Sequence, residues 1–112
     1  MGIRDRELLP GTLDLMILSA VERGPAHGYA IMQAIWSGSG ELFRVEEGAL
    51  YPALHRLQVK GWLRAEWGES EAKRKAKYYQ LTAAGRKQLV AERRRWGRLA
   101  EGMNRLLLES ES

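Results

Sequence analysis

The chain has 112 residues, 45% of them hydrophobic, and a formal net charge of +4, which is one domain's worth of sequence with enough apolar residues for a modest core and sets it apart from disordered chains. It has no cysteine, so a disulfide framework and thiolate metal sites are excluded and a reducing cytosol fits. The charged start is unlike a signal peptide and the apolar runs are too short to span a bilayer, so a cytoplasmic protein with no membrane partner is expected.

Residues 1–10 read as a short arm, broken at Pro10–Gly11. Thr12 can cap a first helix. Leu13, Met16, Ile17, Ala20 and Val21 keep helical i, i+3, i+4 spacing, which predicts a helix to about Arg23, ended by Gly24–Pro25. His27, read as a turn residue, and Gly28 open a second helix built on Tyr29, Ile31, Met32, Ile35 and Trp36. Ser37-Gly38-Ser39-Gly40 reads as a loop, and Glu41–Val45 as a short extended stretch. Glu46 and Glu47 suit the N-terminus of a third helix, where the dipole favours negative charge. Leu50, Ala53, Leu54 and Leu57 give that helix its buried face, and Gly61 ends it. Pro52 is placed near its start, where a missing N–H costs least.

After Gly61 the pattern changes to the aromatic alternation of a strand over Trp62–Trp67. Gly68–Arg74 is polar and turn-like, and Lys75–Leu81 reads as the returning strand of a hairpin. Strict alternation puts Trp62 and Trp67 on opposite sides, one toward the core and one exposed. Thr82 caps a long last helix in which Leu89, Trp96 and Met103 fall seven apart, as do Leu99 and Leu106, an a/d heptad pattern. Gly85, Gly97 and Gly102 weaken it, each by roughly 1 kcal/mol against Ala if exposed. The predicted fold is mainly α (α+β), a winged helix-turn-helix with a two-stranded wing and a long C-terminal dimerisation helix. Residues 1–81 are expected to form the DNA-binding domain and 82–112 the dimerisation helix.

Charge is unevenly placed. Residues 1–72 carry 7 basic and 10 acidic side chains, whereas residues 73–98 carry 10 basic side chains against Glu92 alone. Charge by itself leaves open a solvated, Arg-rich helix and loop. Joined to three helices and a hairpin it points to DNA, with the third helix in the major groove and the hairpin on the backbone. Lys73, Arg74, Lys75 and Lys77 on the wing would displace counterions from phosphates. On the third helix Gly48, Ala49, Tyr51, Pro52, His55, Arg56 and Lys60 are expected to point away from the core. Arg56 suits a guanine edge or a phosphate and Tyr51 a phosphate oxygen; packing of Tyr51 on the wing and solvation of Arg56 are the alternatives.

The runs His27-Gly28-Tyr29-Ala30-Ile31, Gly48-Ala49-Leu50-Tyr51-Pro52-Ala53-Leu54-His55-Arg56-Leu57, Gly61-Trp62-Leu63 and Lys77-Tyr78-Tyr79-Gln80-Leu81-Thr82-Ala83-Ala84-Gly85, in this order, resemble the PadR-like transcriptional regulators over about residues 8–107. The resemblance implies a homodimeric bacterial repressor of the short subfamily, with one C-terminal helix. It adds Tyr29 to the DNA-binding residues. The heptad face of Leu89, Trp96, Leu99, Met103 and Leu106 can supply the dimer seam, with intrachain core as the alternative, and the resemblance implies that helix one, with Leu13, completes it. Two departures stand out: Ala49 occupies a position where the family pattern usually has Thr, and the wing tip has Glu69-Ser70-Glu71-Ala72 where family wings are often Gly-rich. Both glutamates are expected to point away from DNA.

In short members that sense drugs, a tryptophan of the last helix helps form a pore at the dimer centre. By that resemblance Trp96 is the candidate effector residue, stacking on a small planar aromatic ligand. Arg93, Arg94, Arg95 and Arg98 around it would favour anions; a packed interface role is the alternative. Two histidines far apart suggest no metal site, and no cofactor is expected. No catalytic constellation is present, so an enzyme is not expected. The rival readings are a winged helix used for protein–protein contact, against which the basic wing argues, and a DNA-binding protein without an effector.

Overall fold

The computed structural model describes residues 2–8 and 11–108; Pro10, read above as a break, lies outside them. The arm before the first helix is paired rather than loose. β1 (Ile3–Arg4) runs parallel to β3 (Phe43–Arg44), and the Ile3 N–H donates to the Leu42 carbonyl at 2.6 Å. A 3-10 turn over Asp5–Glu7 follows. There Asp5 Oδ1 accepts the Glu46 N–H at 3.1 Å, so the arm also ties down the start of the third helix.

α1 (Thr12–Ala20) is shorter than its apolar spacing predicts, and its cap is not Thr12. Gly11 takes the N-cap position at φ 87°, in the left-handed region that a missing Cβ makes accessible. The chain leaves the helix at Val21, whose N–H closes on Ile17 and whose side chain enters the core. α2 (Gly28–Gly38) starts from His27, whose Nδ1 accepts the Ala30 N–H at 3.1 Å and satisfies one orphan donor. The helix continues through Gly38, so the loop begins at Ser39 rather than Ser37.

α3 (Glu47–Val59) contains Pro52 as its sixth residue. This is deeper than the first turn expected for it. Its missing N–H therefore removes the bond that the Gly48 carbonyl would otherwise accept. The helix ends as predicted at Gly61, φ 81°, with the Gly61 N–H on Gln58 and the Trp62 N–H on Leu57, the paired carbonyl closure of a Schellman turn.

β4 (Leu63–Glu69) and β5 (Lys75–Leu81) form the wing, in antiparallel register from Leu63 opposite Leu81 to Glu69 opposite Lys75. A third short strand joins them. β2 (Ala26–His27) pairs with Tyr79 and Tyr78 on the other edge of β5 and binds the wing to the start of α2. α4 (Ala83–Leu107) is capped by Thr82 as predicted, its Oγ1 accepting the Gly85 N–H at 3.0 Å. Gly85 proves to be a packing requirement: a Cβ there would fall on the Trp62 carbonyl oxygen.

The core is one cluster in which Ile17, Leu18, Ile31, Leu50, Leu54, Leu57, Leu63 and Leu89 are fully buried. Leu89 was expected in the dimer seam; at 1% exposure it has no surface left for a partner, because the first two turns of α4 lie against the rest of the domain. Among the described residues no helix is long and apolar enough to cross a membrane.

Candidate nucleic-acid interface

With Leu50, Ala53, Leu54 and Leu57 in the core, helical geometry sets Gly48, Pro52, His55 and Val59 on the opposite line of α3. All four are exposed. Val59, 74% exposed, escaped the sequence reading. Its four-residue spacing from His55 is the signal that marks it. Tyr51 lies on one flank of this line; half-buried Ala49, Arg56 and Lys60 lie on the other.

The two flanks behave differently. Tyr51 reaches across to α2, where its ring and hydroxyl cover Gly28 so closely that no Cβ fits. It stays 45% exposed, and its proximity, after burial, helps to push the Tyr79 phenol above its ordinary value. Arg56, by contrast, gives its guanidinium to Asp14 in the first turn of α1, and Lys60 holds its ammonium 4.7 Å from the Trp62 ring centroid. Both cations expected on the outer face of α3 thus have a neighbour within the chain.

Between the start of α2, Tyr51 and the wing runs an open groove of about 990 Å³. Tyr29, 63% exposed, stands on one wall, and Arg74, Lys75 and Lys77 on the other. Lys73, Arg74 and Lys75 are exposed and Lys77 half-buried. None of the four has a carboxylate within 4.0 Å among the described residues. Lys75 sits 5.7 Å from the centre of exposed Trp67 and Lys77 5.8 Å from that of Tyr79. Glu71 was expected to point away from DNA. It lines the groove, because the tip closes on itself between Ser70 and Arg74 and leaves the strand alternation. Unpaired cations facing phenol and histidine donors beside a helix start suit the sugar-phosphate backbone of a nucleic acid.

A second surface lies on α4. Trp96, Leu99, Met103 and Leu106 are between 44% and 69% exposed, while Leu13 on α1 is half-buried against the core. Trp96 borders two clefts, of about 350 and 530 Å³, between α4 and the α1 side of the domain. The cations around it are fewer than the sequence suggests. Arg93 pairs with Glu22 and Arg95 with Glu92, and Arg94 and Arg98, two residues either side, project from the opposite face of the helix.

Residues 17–91 match the Transcriptional regulator PadR-like family. A transcriptional regulator of Mycobacterium tuberculosis is 35% identical over 95 residues, covering 85% of each chain. A transcriptional regulator from Clostridium thermocellum superposes with a TM-score of 0.77 at 30% identity, over 87% of this chain and 94% of that one. A PadR-like transcription factor from Bacteroides fragilis superposes at 0.69 and 34% identity, over 86% and 90%.

Proposed function

The chain belongs to the PadR-like family of DNA-binding transcriptional regulators, and from that premise we propose that it acts as a homodimeric repressor of a two-fold-symmetric operator. The observation that carries the reading is the wing, whose four cations have no carboxylate within 4.0 Å among the described residues and three of which, Arg74, Lys75 and Lys77, line the groove that Tyr51 of α3 also borders. Two copies would seat Gly48, Pro52, His55 and Val59 in successive major grooves, roughly 34 Å apart. Tyr29, Tyr51 and the wing cations Lys73, Arg74, Lys75 and Lys77 would hold phosphates. The exposed stripe of Trp96, Leu99, Met103 and Leu106 on α4 supports the pairing, because a row of large apolar side chains at heptad spacing is the kind of face a second helix covers.

Replacement of Lys73, Arg74 and Lys75 by Ala is expected to weaken binding to every duplex. It should also flatten the dependence of log affinity on log salt by up to about 2.7 units, about 0.9 for each phosphate no longer neutralised. An unchanged slope removes the wing from the interface. Selection of bound sites from random duplexes tests the dimer: a palindrome with half-sites one turn apart supports it, a lone half-site opposes it.

A small planar aromatic effector is the finer part of the proposal, supported by the two clefts that meet at Trp96. A panel of planar aromatic acids and amines that quench indole fluorescence and release bound DNA would bear this out. Quenching without release, or none, would leave a regulator governed otherwise.

A further inference from the structure

We infer that Asp14 is a positioning residue for sequence recognition: it withholds Arg56 from the bases, so that the operator is read by His55 among apolar neighbours. This rests on the regulator reading above. Arginine is the commonest reader of guanine in the major groove, and Arg56 is the only arginine of α3. Its guanidinium is nevertheless turned toward α1, where Nη2 donates to Asp14 Oδ1.

The pair is unequal in a way that fixes its geometry. The Asp14 side chain is only 15% exposed, against 48% for Arg56. Asp14 also stands in the first turn of α1, where the helix dipole interacts favourably with negative charge. Moving Arg56 to a base would strand that mostly covered carboxylate. The loss is about 5- to 150-fold or more for a charged group left without its partner, at least the size of the gain from a guanine contact. Lys60, the other cation near α3, is held over Trp62. The outer line of the helix then offers one hydrogen-bonding side chain, His55. Gly48 presents none, while Pro52 and Val59 suit the methyl group of thymine.

The experiment is site selection from random duplexes with the full chain and four variants: Arg56→Ala, Asp14→Asn, Asp14→Asn combined with Arg56→Ala, and His55→Ala. The asparagine keeps the size of the side chain, and thermal unfolding verifies that each variant is folded. Arg56→Ala is expected to give the base preferences of the parent chain with a uniform fall in affinity. Asp14→Asn frees the guanidinium, so its sites should acquire a new guanine position in each half-site, enriched about 5- to 150-fold and lost again in the double variant. His55→Ala should erase one preference of the parent. A purely structural pair would lower affinity without creating a guanine preference. The inference is overturned if Arg56→Ala deletes a base preference already present in the parent chain, or if Asp14→Asn selects the parent's sites unchanged. Should the parent chain select no duplex at all, the regulator reading falls, and this inference with it.

Discussion

The near and far halves of α4 carry the same spacing and meet opposite fates. Gly85 and Leu89 are buried within their own chain, Leu89 to 1% exposure. Further along, Trp96, Leu99, Met103 and Leu106 are all at least 44% exposed, although Leu89, Trp96 and Met103 are successive members of one heptad series. Periodicity therefore reports that a helix has an apolar face and is silent about what covers it. The near half belongs to the stability of one chain; the far half, under the proposed function, belongs to association. Leu89→Ala should thus destabilise each protomer by about 2–5 kcal/mol through the missing side-chain atoms and the cavity left behind, read by urea unfolding at any protein concentration. If the effect appeared only at concentrations where dimers form, Leu89 would belong with the far half after all.

Trp96→Asp tests the other side of the contrast. It puts a charge into an apolar stripe, and a central aromatic of an interface is worth about 2 kcal/mol or more. Sedimentation should show dimer dissociation at about 30-fold or more higher concentration, while the unfolding of the isolated protomer changes little. A dimer as tight as the parent's would place the seam elsewhere. Equal destabilisation of monomer and dimer would show that the stripe packs within its own chain.

How much of the molecule is legible in its sequence follows the same division between local and distant causes. α3, the hairpin and the Thr82 cap are readable because a core row, a turn and a hydroxyl act within a few residues. The pairing of Ile3–Arg4 with Phe43–Arg44 is not, since two parallel residues some 40 positions apart leave no periodic trace. The same holds for Asp14, an ordinary first-turn acid until α3 brings Arg56 to it. At the candidate interface the sequence marks the wing cations and Tyr51 and misses exposed Val59. It also credits Arg56 and Lys60 with freedom that a carboxylate and an indole take up. Composition shows which charges are present; only packing shows which are already used.

The joint between the two halves offers the smallest and most specific effect. Arg93, just past the buried turns, donates to both carboxylate oxygens of Glu22, at 2.8 and 3.2 Å, in the turn that follows α1. The hydrogen bond from Arg93 holds the Glu22 carboxyl below its ordinary value of 4.5; burial opposes it, and the charges of Arg93, Arg86 and Arg23, each a weaker influence than burial, add to the lowering. A carboxyl lowered in the folded state stabilises the fold above its ordinary range. That stability is lost as the pH falls from there through the folded-state value. Both partners face solvent, with side chains 53% and 39% exposed, so screening limits the contribution to less than about 1 kcal/mol. Glu22→Gln should therefore lower stability slightly at pH 7, less so in high salt. The difference from the parent should close as the pH is taken well below 4.5, followed by urea unfolding across the acid range. If it persisted unchanged at acid pH, the glutamate would be acting through its shape rather than its charge. The two halves of α4 would then be joined by packing alone.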